Sequence, residues 1–211
     1  MAGWRPYYSF DLLALGLLPP AWDAQIRSIV SERAIDTYLT GSGLTSREKR
    51  IGQRLHVRVT DGVVVRESLP WLWSLYTHEL LDFSSQSFEK PLFVANLLRT
   101  TININQLIGR GAQYEWHVDS NPVTGVLFAT SSEKGLGGSL VFADPQGRRS
   151  IVRPKAGTYI CFDAREIPHR VSPLRRDGDR ISLPMNYYDN DTDQPRPDDL
   201  DDQLYTPPQT T

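Results

Sequence analysis

Residues 139–172 read SLVFADPQGRRSIVRPKAGTYICFDAREIPHRVS, and this stretch indicates an antiparallel β structure. Short runs rich in β-branched and aromatic residues alternate with turn-forming clusters such as Asp144-Pro145-Gln146-Gly147. Closely spaced runs of this kind are typical of a β-sandwich or barrel. The strands that we expect in this stretch cover residues 139–143, 150–153, 158–163 and 169–172.

The same rhythm continues on both sides of this stretch, with further strands expected over residues 101–108, 123–130 and 180–188. Before residue 92 the pattern differs. Apolar residues recur at helical spacing from Pro20 to Leu39 and from about Leu69 to Phe83. Residues 55–65 alternate around an Asp-Gly pair, as in a β-hairpin. We therefore expect an α+β, mainly β chain, with a β core that carries the helices on its outside.

The length of 211 residues, 39% of them apolar, predicts one domain over residues 1–190. Its helical and hairpin part covers 1–91 and its β core covers 92–190. The apolar run from Leu12 to Leu18 is too short to cross a bilayer, and we expect it to dock on the core. Residues 191–211 contain almost no apolar side chains, so burial cannot offset their ordering entropy. We expect this tail to be mobile.

The charge balance gives no reason to expect a nucleic-acid or membrane partner. Lys and Arg number 23 and Asp and Glu number 25, which gives a net charge of −2. The basic segment from Arg47 to Arg58 is more simply a solvated edge than an anion site. Cys161 is the only cysteine, which excludes an intramolecular disulfide and fits a reducing compartment. We expect Cys161 to be a buried apolar residue, the protein to be cytoplasmic, its partner to be a small molecule, and its state to be a monomer or homodimer.

Three residues could share a metal ion. His117 and Asp119 stand two apart in the run YEWHVD, and residues i and i+2 of a strand project from one face. His169 begins a later expected strand, which an antiparallel barrel can bring beside the first. Two His and one Asp leave coordination positions open, as in non-haem iron oxygenases. A structural zinc site normally has a fourth protein ligand. The remaining histidines, His56 and His78, are expected on a strand face and a helix surface.

Arg180 and Ser182 share one face of the last expected strand, where a guanidinium and a hydroxyl could converge on a carboxylate. An arginine beside Ile181 and Leu183 is costly to bury without an anionic partner. Arg175 and Arg176, which lie among turn residues, remain the alternative anion clamp.

From about Ile104 to Tyr188 the chain resembles the 2-oxoglutarate and iron(II)-dependent oxygenases of the prolyl 4-hydroxylase type. The landmarks that carry the resemblance are Tyr114 ahead of His117-Val118-Asp119, Gly137-Gly138-Ser139-Leu140, Pro154-Lys155-Ala156-Gly157-Thr158 leading into Phe162-Asp163, His169-Arg170-Val171, and Arg180-Ile181-Ser182. The resemblance implies a double-stranded β-helix, or jelly-roll, core. The N-terminal helices match only loosely.

The resemblance also implies an enzyme that uses Fe(II), 2-oxoglutarate and dioxygen. The implied catalytic metal ligands are His117, Asp119 and His169, and the implied co-substrate residues are Arg180, Ser182 and Tyr114. Oxidative decarboxylation of 2-oxoglutarate to succinate and CO2 would accompany hydroxylation of an unactivated C–H bond. Related halogenases replace the carboxylate that Asp119 supplies here, so the resemblance disfavours halogenation.

One position departs from the family. Leu107 stands where many relatives carry a tyrosine that binds the co-substrate, and Asn103, Asn105 or Gln106 could replace it. The candidates for substrate contact are Trp116, Arg110, Asn121 and Asn186. Trp71, Trp73 and Tyr76 stand at helical spacing and are expected in the core.

A free amino acid or a natural-product intermediate is the expected substrate, because the chain is short and weakly charged. A peptidyl hydroxylase, a cupin-like metal enzyme with non-oxidative chemistry, and a barrel without turnover are the alternatives. A strict need for 2-oxoglutarate separates the oxygenase from the cupin-like enzyme, and an intact ligand set argues against the barrel without turnover.

Overall fold

The computed structural model describes residues 4–39 and 55–196. The strands are β1 Tyr8–Asp11, β2 Ile35–Leu39, β3 Leu55–Thr60, β4 Phe93–Val94, β5 Ile104–Ile108, β6 Tyr114–His117, β7 Val123–Phe128, β8 Leu140–Ala143, β9 Arg149–Val152, β10 Thr158–Asp163, β11 His169–Val171 and β12 Asp179–Tyr188. The α-helices are α1 Trp22–Arg33, α2 Gly62–Ser68, α3 Pro70–Thr77 and α4 Glu79–Ser87, and a 3-10 helix covers Leu98–Thr100. Each of the seven strands expected after residue 100 is present, with ends within three residues of those expected.

Two antiparallel sheets form the core. The larger has the order β1-β10-β7-β12-β5-β3-β2, with β4 also paired to β12, and the smaller has the order β6-β11-β8-β9. Apolar side chains from both sheets form one cluster between them, including Val57, Phe128, Phe142 and Phe162. The expected double-stranded β-helix is therefore present, with the smaller sheet covering one face of the larger.

The alternation of side chains along β12 separates the helix layer from the interior. Its odd-numbered apolar residues join the cluster that the helices cover, and these are Ile181, Leu183, Met185 and Tyr187. Its even-numbered residues line an internal cavity, and these are Arg180, Ser182, Pro184, Asn186 and Tyr188. Successive strand residues point to opposite faces, so this one strand supplies both the helix-side core and the cavity wall.

The helices pack on the face of the larger sheet that is opposite the cavity. Leu72, Tyr76 and Leu80 are fully buried there, and each contributes roughly 1.5–3 kcal/mol through burial. The Tyr76 hydroxyl donates to the Asn186 carbonyl at 2.8 Å, which ties α3 to β12. Trp71 and Trp73 are partly buried against the same cluster, so the expectation that these aromatic residues are core residues is confirmed.

Gly125 in β7 allows close packing of an aromatic ring. A Cβ built on this glycine would lie 2.2 Å from the Tyr159 hydroxyl oxygen. The ring therefore lies directly on the β7 backbone, and its hydroxyl is within 2.7 Å of the Ser84 hydroxyl on α4. Cys161, two residues along β10, is fully buried, as expected, and burial raises the pKa of its thiol to about 11.

The predicted hairpin over residues 55–65 is wrong. Strand β3 pairs with β2 and β5, and the chain then enters helix α2. Asp61 ends the strand and caps the helix, because its Oδ1 accepts the Val64 N–H at 3.1 Å. Asp is favoured both at helix N-caps and in Asp-Gly hairpin turns, so the Asp-Gly pair did not distinguish the two.

The first predicted helix is too long, and the second is interrupted. The first ends at Arg33, because Ala34 is extended and the β-branched run that follows gains backbone partners as β2. The second is divided into α3 and α4 at His78, which has φ −124° and ψ −86°. His78 is exposed, as expected, and the side chain of His56 lies outside the described residues.

Both ends of the described chain, at residues 4–12 and 191–196, contact the domain. Strand β1, which was not predicted, pairs with β10. Leu12 follows it and is fully buried, whereas Leu13 and Leu15 of the same apolar run are exposed. Residues 191–196 of the expected mobile tail hydrogen-bond to the domain through Gln194 and Arg196. The rest of that tail, and the basic segment before residue 55, lie outside the described residues.

Candidate active site

Backbone carbonyls orient both candidate histidine ligands. His117 Nδ1 donates to the Glu115 carbonyl at 2.6 Å, and His169 Nδ1 donates to the Ile167 carbonyl at 3.0 Å. A carbonyl only accepts hydrogen bonds, so each imidazole carries its proton on Nδ1 and has its lone pair on Nε2. This arrangement of a histidine with a backbone acceptor is typical of metal ligands.

Asp119 is oriented by a threonine. The Thr124 hydroxyl donates to Asp119 Oδ2 at 2.6 Å, and Asn121 Nδ2 donates to the same hydroxyl at 2.9 Å. The Asp119 backbone N–H donates to the Ala164 carbonyl, which fixes the chain just after β6. Asp119 Oδ1 therefore remains directed toward the two imidazoles.

The three side chains converge on one point. Asp119 Oδ1 lies 3.7 Å from His117 Nε2 and 3.6 Å from His169 Nε2. Two atoms that each bind one ion at about 2.1 Å can be at most about 4.2 Å apart, so these separations allow a shared ion. Within the described ranges this is the one group of three His, Cys, Asp or Glu side chains with metal-ligand spacing. Two imidazoles and one carboxylate suit Fe(II) with open positions for reactants.

Strand pairing and a bulge place this group. His117 and His169 are direct partners across β6 and β11. The register then shifts, so that three steps along β6 to Tyr114 match two steps along β11 to Val171. A bulge of this kind changes which face a side chain occupies. It explains how Tyr114 and His117, three residues apart, both line the cavity.

Arg180 is buried in the same cavity without an acidic partner. Its side chain is 4% exposed, Nε donates to the Gly138 carbonyl at 2.8 Å, and Nη1 donates to the Ser182 hydroxyl at 2.6 Å. No carboxylate of residues 4–39 or 55–196 forms an ion pair with it. Burial lowers the pKa of its guanidinium to about 10. The site therefore lacks one negative charge, which a bound carboxylate can supply.

Two glycines allow close packing around Arg180 and the neighbouring Pro173 loop. Gly137 has φ +80°, and a Cβ on it would lie 1.8 Å from the Pro173 carbonyl oxygen. Gly138 has φ +68°, and its Cβ would contact the Arg180 side chain at 3.3 Å. Both positions need the left-handed backbone and the missing side chain of glycine. The Gly137-Gly138 pair thus allows the carbonyl of Gly138 to accept from Arg180.

A single cavity of about 160 Å³ joins the metal-ligand group to Arg180. Its lining includes His117, Asp119, His169, Arg180, Ser182 and Tyr114, which are the six residues that the sequence assigned to metal and co-substrate. Asn121 and Asn186, two of the four substrate candidates, also line it. The structure therefore brings eight of the ten predicted site residues to one cavity.

The other two substrate candidates lie elsewhere. Trp116 lies within the bulge of β6 and outside the cavity lining, and the Arg170 guanidinium lies 4.9 Å from its ring centre. Arg110 is exposed in the loop after β5. Arg175 and Arg176, the alternative anion clamp, are also exposed and do not line this cavity.

Leu107, which stands where many relatives carry the co-substrate tyrosine, is a core residue. Leu107 is fully buried between the sheets. Gln106 points away and donates to Asp179 Oδ2 at 2.8 Å. Asn103 and Asn105 line the cavity, and Asn105 pairs with Ser182 across β5 and β12. The Asn105 Oδ1 atom is buried with no hydrogen-bond partner within the described part of the chain, so its amide can turn toward a ligand.

Comparison with known proteins now identifies the domain. Residues 102–188 match the model of the 2OG-Fe(II) oxygenase superfamily. The chain contains a 2OG-Fe(II) oxygenase domain. The match indicates an oxidoreductase of the 2-oxoglutarate-dependent class, whose members use Fe(II), 2-oxoglutarate and dioxygen. No curated protein sequence matches this chain.

Solved structures share the fold of this oxygenase. An oxidoreductase of the 2OG-Fe(II) oxygenase family from Burkholderia pseudomallei has a TM-score of 0.65 at 18% identity, over 90% of this chain and 89% of that one. A Trichoplax adhaerens prolyl hydroxylase, in complex with a hypoxia inducible factor peptide, has a TM-score of 0.65 at 15% identity, over 87% and 84%. The epimerase SnoN from nogalamycin biosynthesis has a TM-score of 0.62 at 14% identity, over 87% and 78%.

Sequence reasoning missed three residues of the oxygenase site. Thr124 orients Asp119, and a polar residue within the otherwise apolar run of β7 was its one sequence signal. Tyr188 and Arg196 line the cavity beyond the metal-ligand group. Arg196 lies in a segment whose composition resembles a disordered tail, so no sequence pattern pointed to it.

Proposed function

We propose that His117, Asp119 and His169 hold Fe(II), and that Arg180, Ser182 and Tyr114 hold 2-oxoglutarate for hydroxylation of a small molecule. The observation that supports this most strongly is the single cavity that joins an Nε2, Nε2, carboxylate triad to a buried arginine without an acidic partner among the described residues. Bound iron would supply dioxygen activation coupled to decarboxylation of 2-oxoglutarate to succinate and CO2, with oxidation of a C–H bond.

The residues around the triad keep the ligands in place. Thr124 holds the Asp119 carboxylate so that one oxygen faces the imidazoles. Phe162 lies edge-on to the His169 ring at 4.7 Å, and Phe142 at 6.3 Å adds to the apolar cover. His169 is 4% exposed. Water therefore has little access to this ligand from the side of the core, and open positions face the cavity.

The residues around Arg180 suit the far carboxylate of 2-oxoglutarate. Ser182 Oγ accepts from Arg180 Nη1, so its own proton can be donated to the carboxylate. Tyr114 lines the cavity close enough for its phenol to act on the Arg180 charge. Asn105 Oδ1 has no hydrogen-bond partner among residues 4–39 and 55–196, so its amide can turn its NH2 group to the same anion and replace the family's tyrosine. Each group donates toward a negative charge, which fits a dicarboxylate.

We propose a small polar substrate, such as an amino acid or a natural-product intermediate. The cavity wall beyond the triad is polar, with Asn103, Asn121 and Asn186 amides in its lining. The fold shared with SnoN accords with a small molecule. A peptide is the second candidate, because the Trichoplax prolyl hydroxylase with the same fold binds one.

We place the protein in the cytoplasm, in accord with its single buried cysteine. No helix within the described ranges is long and apolar enough to cross a membrane.

Succinate release tests this proposal. The aerobic protein with Fe(II), ascorbate and 2-oxoglutarate is offered a panel of amino acids, natural-product acids and proline-containing peptides. We expect a small molecule to raise succinate release, and Asp119→Ala to abolish the increase. Stimulation by peptides alone would favour the second candidate, and turnover of a panel member without 2-oxoglutarate would contradict the proposal.

A further inference from the structure

The segment after β12, residues 190–196, forms part of the cavity wall, and we name it the C-terminal arm. Gln194 attaches it, because its Oε1 accepts the Asn96 N–H at 2.7 Å and its Nε2 donates to the Val94 carbonyl at 3.2 Å. The Tyr188 hydroxyl donates to the Pro195 carbonyl at 3.3 Å. These bonds place Arg196 beside Thr100, to whose hydroxyl its Nη1 donates at 3.2 Å.

Arg196 and Arg180 lie on opposite sides of the metal-ligand triad. Thr124, which orients Asp119, is the cross-strand partner of Asn186 on β12, so the triad is level with Asn186. Arg180 and Ser182 precede that level, and Ser182 is about 13 Å before it at about 3.3 Å per residue. Tyr188 and the arm follow it. Arg196 therefore lines the cavity on the side away from the co-substrate residues.

The charges around Tyr188 support this position. Burial raises the pKa of Tyr188, the positive charges of Arg196 and Arg165 lower it, and the Asp119 carboxylate raises it. Both arginines and the metal-ligand carboxylate thus act on one hydroxyl. Arg165 donates from Nε and Nη2 to the Ser120 carbonyl and is not part of the cavity lining. Arg196 is the guanidinium that this side of the cavity presents.

We propose that the substrate carries a carboxylate and that Arg196 binds it, which places the oxidised C–H bond between this carboxylate and the co-substrate. This inference rests on the proposed function. A guanidinium fork matches the planar geometry of a carboxylate, and one such group suits a monoanion. A phosphate dianion would draw on a second cation, and Arg165 is directed to the backbone instead.

Matched acids and amides test the substrate class. The full chain, loaded with Fe(II) and 2-oxoglutarate, is offered amino acids and aromatic carboxylic acids, each beside its primary carboxamide, and succinate release is measured. We expect at least one acid to stimulate release, with its amide needing roughly tenfold or higher concentration. Arg196→Ala raises the half-saturating concentration of the acid roughly 10- to 100-fold, because a charge-assisted hydrogen bond is lost. Arg196→Lys, which keeps the charge without the fork, has an intermediate effect.

Two controls separate this inference from the proposed function. Arg153→Ala removes an exposed arginine outside the cavity lining and leaves the response to the acid unchanged. The anaerobic absorption change on adding 2-oxoglutarate to the Fe(II) protein stays the same in Arg196→Ala, so a loss of this signal would indicate damage to the co-substrate site. The inference would be overturned by any of four results. These are equal action of acids and amides, stimulation by phosphate esters alone, no stimulation by any acid, and an unchanged response in Arg196→Ala.

Discussion

Replacing Arg180 with Met tests the most informative feature of the site. Burial that lowers the pKa of the Arg180 guanidinium to about 10 corresponds to a cost on the order of 3 kcal/mol for the buried charged form. A carboxylate bound at the guanidinium offsets that cost. Removing the guanidinium therefore weakens 2-oxoglutarate binding by about 100-fold. Arg180→Met also loses two hydrogen bonds, to Gly138 and Ser182, worth about 1 kcal/mol each. In the ligand-free protein, the gain in the free energy of unfolding from removing a buried charge nearly cancels the loss from these two hydrogen bonds.

Two measurements check this prediction. Chemical unfolding of the metal-free protein gives nearly the same stability for Arg180→Met and the native chain. With Mn(II) present, 2-oxoglutarate raises the melting temperature of the native chain and has little effect on the variant. Arg175→Met, a change at an exposed arginine nearby, is the matched control and keeps the native response. Undiminished 2-oxoglutarate binding by Arg180→Met, or its loss in Arg175→Met, would refute the reasoning and favour the turn as the anion clamp.

Three further predictions follow from the contacts around the site. Thr124→Val removes the donor to Asp119 and lowers Fe(II) affinity by roughly 10-fold or more, whereas Thr124→Ser keeps the native affinity. A metal titration measures both variants, and equal Fe(II) affinities in the two would exclude a role of the Thr124 hydroxyl in orienting Asp119. Gly137→Ala lowers the free energy of unfolding by about 2 kcal/mol or more, because its Cβ would clash with the Pro173 carbonyl and its φ is +80°; an unchanged urea midpoint would contradict that strain. Asp61→Ala costs about 1 kcal/mol by removing the cap of α2, while Asp61→Asn retains most of it, and a thermal melt compares the two; no difference from native in either variant would mean that the cap contributes nothing.

The sequence predicted the β core because each strand there has a strong local signal. In β12 the polar residues Arg180 and Ser182 alternate with apolar ones, so their shared face was readable before the structure. The pairing of His117 with His169 was not readable, because register depends on which strands meet in space. The family resemblance supplied that connection, and the structure places both imidazoles beside Asp119.

The missed features share a physical cause, since each depends on contacts between distant parts of the chain. Ile35–Leu39 continues a helical apolar pattern, and it forms a strand because β3 offers it backbone partners. Trp116 stands next to His117 in sequence, but the adjacent strand position faces outward. Arg196 has no local pattern at all, and side-chain hydrogen bonds of Gln194 and Arg196 dock its segment on residues about a hundred positions earlier.

The most direct test of the central claim is anaerobic reconstitution with Fe(II), followed by absorption difference spectroscopy on adding 2-oxoglutarate. A co-substrate that chelates iron held by His117, Asp119 and His169 gives a weak visible charge-transfer band. We predict this band for the native chain, its absence in His117→Ala, and its weakening in Arg180→Met. A native protein that binds the metal but shows no band would contradict the oxygenase site and favour a cupin-like metal enzyme with non-oxidative chemistry.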